Sequence, residues 1–140
     1  CVEKHLRPQP RVREIRAALD AGETVRAAID ISDGIAGDAA HIAEKSQLDL
    51  IINAAQIPIS PFCKQMAQAL NADALQWALA GGEDYELLFT IDQNDYNKVA
   101  VNENVSVVGH ITEKKEGSIL ITKGGNKHKL TAQGWNTFRE

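Results

Sequence analysis

The feature that most constrains the fold is a strand, tight turn and helix pattern around the segment DISDG at residues 30–34. Residues 25–31 are mostly apolar and predict a buried strand. Apolar residues then recur at helical spacing, which predicts a helix to about Ser46 with Ser32 as its N-cap. The turn between the two elements therefore brings several polar side chains to the end of one strand.

The rest of the chain mixes helices and strands without a strict alternation of the two. This mixture predicts an α+β fold, a layered α/β sandwich with a mixed sheet. The three strands nearest the C-terminus have the character of antiparallel edge elements. The further predicted elements are helices at about 11–21, 61–71, 73–79 and 92–101, and strands at about 48–53, 85–91, 105–111, 118–122 and 127–130.

Length and the opening segment set the expected domain organisation. With 140 residues, of which 44% are hydrophobic, the chain is long enough for one core. The run RPQP at residues 7–10 favours extended backbone, because each proline fixes its own φ and restricts the residue before it. We expect residues 1–10 to be a linker from a missing N-terminal domain, and residues 11–140 to form a single C-terminal domain.

Charge and composition narrow the classes of partner. Fifteen basic and nineteen acidic residues leave a net charge of −4, with no basic patch interleaved with aromatic residues. Nucleic acid is therefore a poor candidate partner, and an anionic ligand would need metal ions or helix N-termini to hold it. Cys1 and Cys63 give no disulfide framework, and no apolar stretch approaches membrane-spanning length. We expect a cytoplasmic protein without a membrane partner.

The DISDG segment contains the strongest candidates for chemistry. Alternation along a strand places Asp30 and Ser32 on one side, and Asp33 would lie in the first helical turn. Mg²⁺ prefers oxygen ligands, and the N–H groups of a helix start can bind phosphate, which Gly34 would allow to approach closely. The simpler alternative is a capped helix with a favourable first-turn acid. It does not account for Asp30, because a carboxylate that ends an apolar strand is costly to desolvate.

Two further segments have functional and structural interpretations. GGEDYELLF at residues 81–89 places Glu83 and Asp84 at the mouth of a strand, where they could meet a ligand or form a solvated turn. GWNTF at residues 134–138 could dock on the core, or Trp135 could flank a heteroaromatic ligand. The four histidines are dispersed without metal-ligand spacing.

Taken together, DISDG, GGEDYELLF and the closing GW-x-x-F resemble, in order and separation, the C-terminal domain of the thiamine-monophosphate kinase family. The segment LRPQPRV at residues 6–12 is similar to the entry into that domain. The resemblance implies a fold like the C-terminal domain of aminoimidazole ribonucleotide synthetase. It also implies an N-terminal domain that forms a homodimer and supplies most metal-binding acids, and ATP-dependent phosphorylation of thiamine monophosphate to thiamine diphosphate with Mg²⁺.

The same resemblance implies a role for each matched residue. Asp30 and Asp33 would be magnesium ligands, and Ser32 would contact the nucleotide phosphates. Glu83 and Trp135 would lie on the substrate side. No general base or covalent intermediate is implied, because phosphoryl transfer depends mostly on positioning and charge neutralisation.

The chain departs from the family pattern at two places. Ile35 replaces the expected Leu, and Asn136 and Thr137 stand where the family more often has Asp and His. The second change bears on the substrate. Two alternatives follow: another ATP-dependent enzyme of the same superfamily, such as an aminoimidazole ribonucleotide or selenophosphate synthetase-like protein, or a non-catalytic binding module. We expect the isolated chain to be inactive.

Overall fold

A computed structural model describes residues 3, 6–20, 22, 24–115 and 117–130 of the chain. Helices and strands succeed one another along it, with short 3₁₀ turns at Ala54–Gln56 and Gln93–Asp95. The helices are α1 (Val12–Asp20), α2 (Ile35–Ser46), α3 (Pro61–Ala69), α4 (Ala74–Ala80) and α5 (Tyr96–Ala100). The strands are β1 (Val25–Asp30), β2 (Asp49–Asn53), β3 (Leu87–Ile91), β4 (Gly109–Thr112), β5 (Ile119–Ile121) and β6 (Lys127–Lys129).

Helix α2 is the central element of the domain. Its first six residues are all buried, and small alanines such as Ala36 and Ala39 let neighbouring elements approach its axis closely. The helix ends at Gln47, which adopts the left-handed conformation with φ 56° and donates its N–H to the last carbonyls. Contacts with β1, β2, β3 and α4 make α2 the layer between the two sheets.

The strands form two separate sheets. β1 pairs with β3 in an antiparallel two-stranded sheet, in which Asp30 lies opposite Leu87. The second sheet has the order β4-β2-β5-β6, with β2 and β5 parallel and the other neighbours antiparallel. The predicted α+β fold with a mixed sheet is therefore confirmed.

The core lies where α2 meets β2, β5 and α4. Leu79 and Leu120 are each 1% exposed, and burial of a leucine of this kind stabilises the fold by about 2–3 kcal/mol. The buried cluster comprises Ile31, Ile35, Ala36, Ala39, Ala43, Leu50, Ile52, Ala54, Ile57, Leu79, Leu120 and Leu130.

Several predicted element boundaries are wrong. The strand predicted at 85–91 begins at Leu87, because Tyr85 has a φ of 50° that no strand residue adopts. The helix predicted at 92–101 is a 3₁₀ turn followed by α5, and the strand predicted at 105–111 is reduced to Gly109–Thr112. β5 is not an edge strand, since it lies between β2 and β6.

The predicted domain boundaries, a linker at residues 1–10 and a single domain at 11–140, stay predictions. The C-terminal segment 131–140, which contains Trp135, lies outside the described residues. Among the residues described, no helix is both long enough and apolar enough to span a bilayer.

Candidate functional site

Backbone hydrogen bonds join the two acidic segments that the sequence singled out. Ile31 donates its N–H to Glu86 O at 2.8 Å and accepts from the Tyr85 N–H at 2.8 Å, and Ser32 O accepts from the Glu83 N–H at 2.9 Å. This pairing extends the β1–β3 contact beyond the ends of both strands. The segments DISDG and GGEDYE therefore lie side by side, as one site requires.

Two glycines permit this close approach. A Cβ at Gly82 would lie 2.3 Å from Ser32 O, and a Cβ at Gly34 would lie 2.5 Å from Leu79 O, both far inside van der Waals contact. Their φ angles of 63° and 99° also disfavour other residues. Gly34 is buried, so packing against α4 already explains the glycine, and its contact with a nucleotide stays a prediction.

The start of α2 differs from the prediction. The helix begins at Ile35, its N-cap residue is Gly34, and no side chain caps it, so Ser32 is not the N-cap. Asp33 consequently precedes the helix and does not lie in its first turn. The reason is that the positive φ of Gly34 lets the chain turn sharply just before Ile35. Ser32 and Asp33 therefore remain in the loop that precedes the helix.

Asp38 is the polar residue of this region that sequence reasoning missed. Its side chain is 2% exposed, and its Oδ2 accepts hydrogen bonds from the N–H groups of Ser32 at 3.0 Å and Asp33 at 3.1 Å. A signal was available, because position 38 lies three residues after Ile35 and four before Ile42 and so shares their buried face. The N–H groups of Ser32 and Asp33 are therefore bound internally, and phosphate binding by the N–H groups at the helix start stays a prediction.

The carboxylates predicted to bind magnesium face the exterior. Asp30 and Asp33 are exposed and Ser32 is half-buried. None of the ion pairs among the described residues involves either carboxylate. The expectation that Asp30 carries a desolvation cost is wrong, because its side chain is exposed to solvent. Both carboxylates are accessible to a cation.

Tyr85 lies in the second acidic segment and contacts Glu83. Its hydroxyl donates a 2.8 Å hydrogen bond to Glu83 Oε2. This bond and the charge of Glu83 raise the pKa of the phenol, and the charges of Asp30 and Asp33 raise it further. Glu83 is the carboxylate in direct contact with this hydroxyl. Glu83 and Tyr85 both have positive φ angles, 60° and 50°, a strained conformation typical of functional loops.

Arg11 ties the N-terminal part of the chain to this region. Its Nε donates to Glu86 Oε2 at 2.7 Å and its Nη2 to Oε1 at 2.9 Å, a bidentate pair. The hydrogen bond to Glu86 is the main reason why the pKa of the guanidinium is raised. Glu86 is therefore held by an internal partner, whereas Glu83 is exposed at the surface.

The comparisons with known proteins cover most of the chain. A family model described as AIR synthase related protein, C-terminal domain, matches residues 2–122. The chain belongs to this family. The thiamine-monophosphate kinase of Buchnera aphidicola subsp. Acyrthosiphon pisum (strain APS) is 39% identical over 144 residues, covering 98% of this chain and 42% of that protein. The thiamine-monophosphate kinase of Escherichia coli (strain K12) is 34% identical over 142 residues, with the same coverage.

A solved structure described as AaThiL complexed with AMPPCP and TMP has the same fold as this member of the AIR synthase related family. The TM-score is 0.75 at 29% sequence identity, and the match covers 98% of this chain and 40% of that one. The resemblance stated from the motifs is thereby confirmed. The chain spans about 42% of the length of the curated relatives it matches.

The donors that this family member presents suit Mg²⁺. Two exposed carboxylates and a hydroxyl supply hard oxygen ligands, and Mg²⁺ usually takes one or two carboxylates together with water and phosphate oxygens. The described residues contain no group of three or more His, Cys, Asp or Glu side chains that could hold a metal ion. Asp30 and Asp33 can therefore form part of a coordination shell, which ligand oxygens or other residues would have to complete.

Proposed function

We propose that this chain is the C-terminal domain of a thiamine-monophosphate kinase. The intact protein would transfer the terminal phosphoryl group of ATP to thiamine monophosphate and release thiamine diphosphate. The observation that carries the proposal is the backbone pairing of residues 31–32 with 83–86, which brings the loop that contains Asp30 and Asp33 beside the segment that contains Glu83. The names of the matched relatives and the ligands of the matched AaThiL structure support the same activity.

Each site residue has a proposed role in this reaction. Asp30 and Asp33 hold Mg²⁺, Ser32 and Gly34 contact the phosphates of the nucleotide, and Glu83 and Trp135 bind the substrate. Bound Mg²⁺ neutralises phosphate charge in the transition state. The chain's own task is to orient the two phosphates in line, so that the acceptor oxygen replaces the bridging oxygen at the γ-phosphorus. No residue is assigned as a general base.

We further propose that the active protein needs its N-terminal half. The chain offers two exposed carboxylates, and an N-terminal domain would add the remaining metal ligands and form a homodimer. We place the intact protein in the cytoplasm, with no nucleic acid or membrane as partner. The isolated chain should neither turn over ATP nor bind it with nanomolar affinity, which isothermal titration with Mg²⁺ and ATP would measure.

The decisive assay uses the intact protein with ATP, Mg²⁺ and thiamine monophosphate. We expect stoichiometric formation of thiamine diphosphate and ADP. No product at saturating substrates would refute the assignment. The Asn136 and Thr137 departures make another substrate the second candidate, and a thermal-shift comparison of thiamine monophosphate with aminoimidazole and selenide substrates distinguishes the two. Preferential stabilisation by either of the latter would favour the alternative.

A further inference from the structure

Asp38 is a buried carboxylate that contacts the DISDG loop. It is 2% exposed and lies in the first turn of α2, directly beneath the residues that precede the helix. Its Oδ2 accepts from two consecutive N–H groups, those of Ser32 and Asp33. One carboxylate oxygen shared by two adjacent amides fixes the orientation of both peptide units.

This arrangement determines which groups of the loop face a ligand. The N–H groups of Ser32 and Asp33 point inward to Asp38, so they cannot bind a phosphate from the exterior. The exposed residues of this part of the loop are Asp30 and Asp33, whose carboxylates are acceptors. The loop is therefore arranged to bind cations.

We propose that Asp38 is a positioning residue for the cation site, which it holds in place through the backbone of Ser32 and Asp33. It touches neither cation nor substrate. Its role resembles that of the outer-shell partners that orient metal ligands, whose loss typically lowers metal affinity about 10–100-fold. The inference rests on the proposed function in so far as Asp30 and Asp33 bind a divalent cation.

A purely structural role is the competing explanation, and the chain contains a matched control for it. Asp49 is also buried, at 7% exposure, and its Oδ2 accepts from the N–H groups of Lys115 at 2.7 Å and Gly117 at 2.9 Å. This carboxylate performs the same backbone task at the start of β2, in the other sheet. Loss of Asp49 should therefore destabilise the fold without changing the cation site.

The experiment compares Asp38→Ala, Asp38→Asn, Asp49→Ala and Asp33→Asn in the intact protein. Binding of Mn²⁺, followed by electron paramagnetic resonance, reports the cation site directly, and hydrogen exchange of the peptide that contains residues 31–34 reports the loop. Asp33→Asn should remove one Mn²⁺ site. We expect Asp38→Ala to lower the Mn²⁺ affinity of that same site about tenfold or more, and to accelerate hydrogen exchange in the loop. Asp38→Asn keeps an acceptor oxygen and should recover part of the affinity.

The control separates the possible outcomes. Asp49→Ala should lower the melting temperature comparably while leaving Mn²⁺ affinity unchanged. The proposal is overturned if Asp38→Ala retains the parent's Mn²⁺ affinity, or if Asp49→Ala weakens it equally; kinase activity of the parent would still support the proposed function. If Asp33→Asn removes no Mn²⁺ site and the parent lacks kinase activity, the proposed function fails, and the positioning role fails with it. Should Asp38→Ala not fold, Asp38→Asn decides by the same two measurements.

Discussion

The loop after β1 and the loop before β5 are fixed by the same device but differ in charge. Asp38 holds the amides of Ser32 and Asp33, and Asp49 holds those of Lys115 and Gly117. The first loop displays exposed carboxylates beside a second acidic segment, whereas in the second loop lysines at 114 and 115 accompany the acids and Lys115 pairs with Glu113. The hydrogen-bond pattern therefore rigidifies a loop, and the side chains displayed on it decide whether it can bind a cation.

The largest expected contrast concerns the displayed carboxylates. Asp30→Asn and Asp33→Asn in the intact protein should each lower kcat/KM about 10²-fold or more, because each removes a charged oxygen ligand of Mg²⁺. Since both side chains are exposed, the melting temperature should barely change. Steady-state kinetics and calorimetry check the two effects.

Lys115→Gln is the control for that contrast. Lys115 lies on the matching loop of the other sheet and pairs only at 3.8 Å with exposed Glu113. Its loss should leave kinetics and stability close to those of the parent. Parent-like kinetics in both aspartate variants would remove the two residues from the metal site.

The next contrast compares two glycines with similar positive φ angles. Gly82 and Gly125 have φ angles of 63° and 80°, but a Cβ at Gly82 would meet Ser32 O at 2.3 Å whereas one at Gly125 meets nothing within 4 Å. Gly125→Ala should cost only the conformational strain, about 1 kcal/mol. Gly82→Ala should cost about 1–3 kcal/mol more, because the two acidic segments must separate.

Chemical denaturation measures both glycine variants, and activity measures the second consequence. We expect Gly82→Ala alone to lower kcat/KM, since it moves Glu83 relative to Asp33. Equal free energies of unfolding for the two variants would show that the close approach at Ser32 does not exist in solution.

A smaller effect is expected for the pair that joins Arg11 to Glu86. About a third of each side chain is exposed, so solvent screens the interaction despite its bidentate geometry. A double-mutant cycle with Arg11→Ala and Glu86→Ala should give a coupling free energy of about 0.5–1 kcal/mol. A coupling free energy of zero within error would show that Arg11, just before α1, does not stabilise the segment at Glu86.

The smallest effect is the titration of Tyr85. Its pKa should lie above the ordinary 10.0, because ionisation would place a negative charge beside Glu83, Asp30 and Asp33. A raised folded-state pKa means that the associated stability is present below the unfolded pKa and is lost as pH rises through the folded one. Ultraviolet titration, with Tyr85→Phe to assign the signal, should show the pKa falling in Glu83→Gln and on addition of Mg²⁺. A pKa insensitive to both changes would separate Tyr85 from the acidic groups.

Local patterns predicted most elements of the fold, because apolar periodicity and turn residues act over a few positions. The helix from Ile35 to Ser46 and the strands around Asn53 and Ile91 follow from such patterns. The strand pairing did not follow, since β5 lies beside β2 through contacts distant in sequence. The prediction of Ser32 as N-cap is wrong, because the helix begins after Gly34 although serine is the more common capping residue.

The candidate site was predictable in its residue types but not in its internal support. The carboxylates of DISDG and GGEDYE are evident in the sequence, and the Ser32–Glu83 backbone hydrogen bond shows that the two segments are adjacent. Helical spacing places Asp38 on the buried face with Ile35 and Ile42, but only the tertiary structure shows that it accepts hydrogen bonds from two amides. Buried partners of this kind depend on how the chain returns on itself, which spacing alone does not encode.

The central claim is that Asp30 and Asp33 bind nucleotide through divalent cations. Isothermal titration of ATP into the intact protein, with and without Mg²⁺, tests it most directly when the Asp30→Asn and Asp33→Asn variants are included. We expect ATP binding that requires Mg²⁺ in the parent and is strongly weakened in both variants. Equal ATP affinity with and without Mg²⁺, unchanged in the variants, would contradict it.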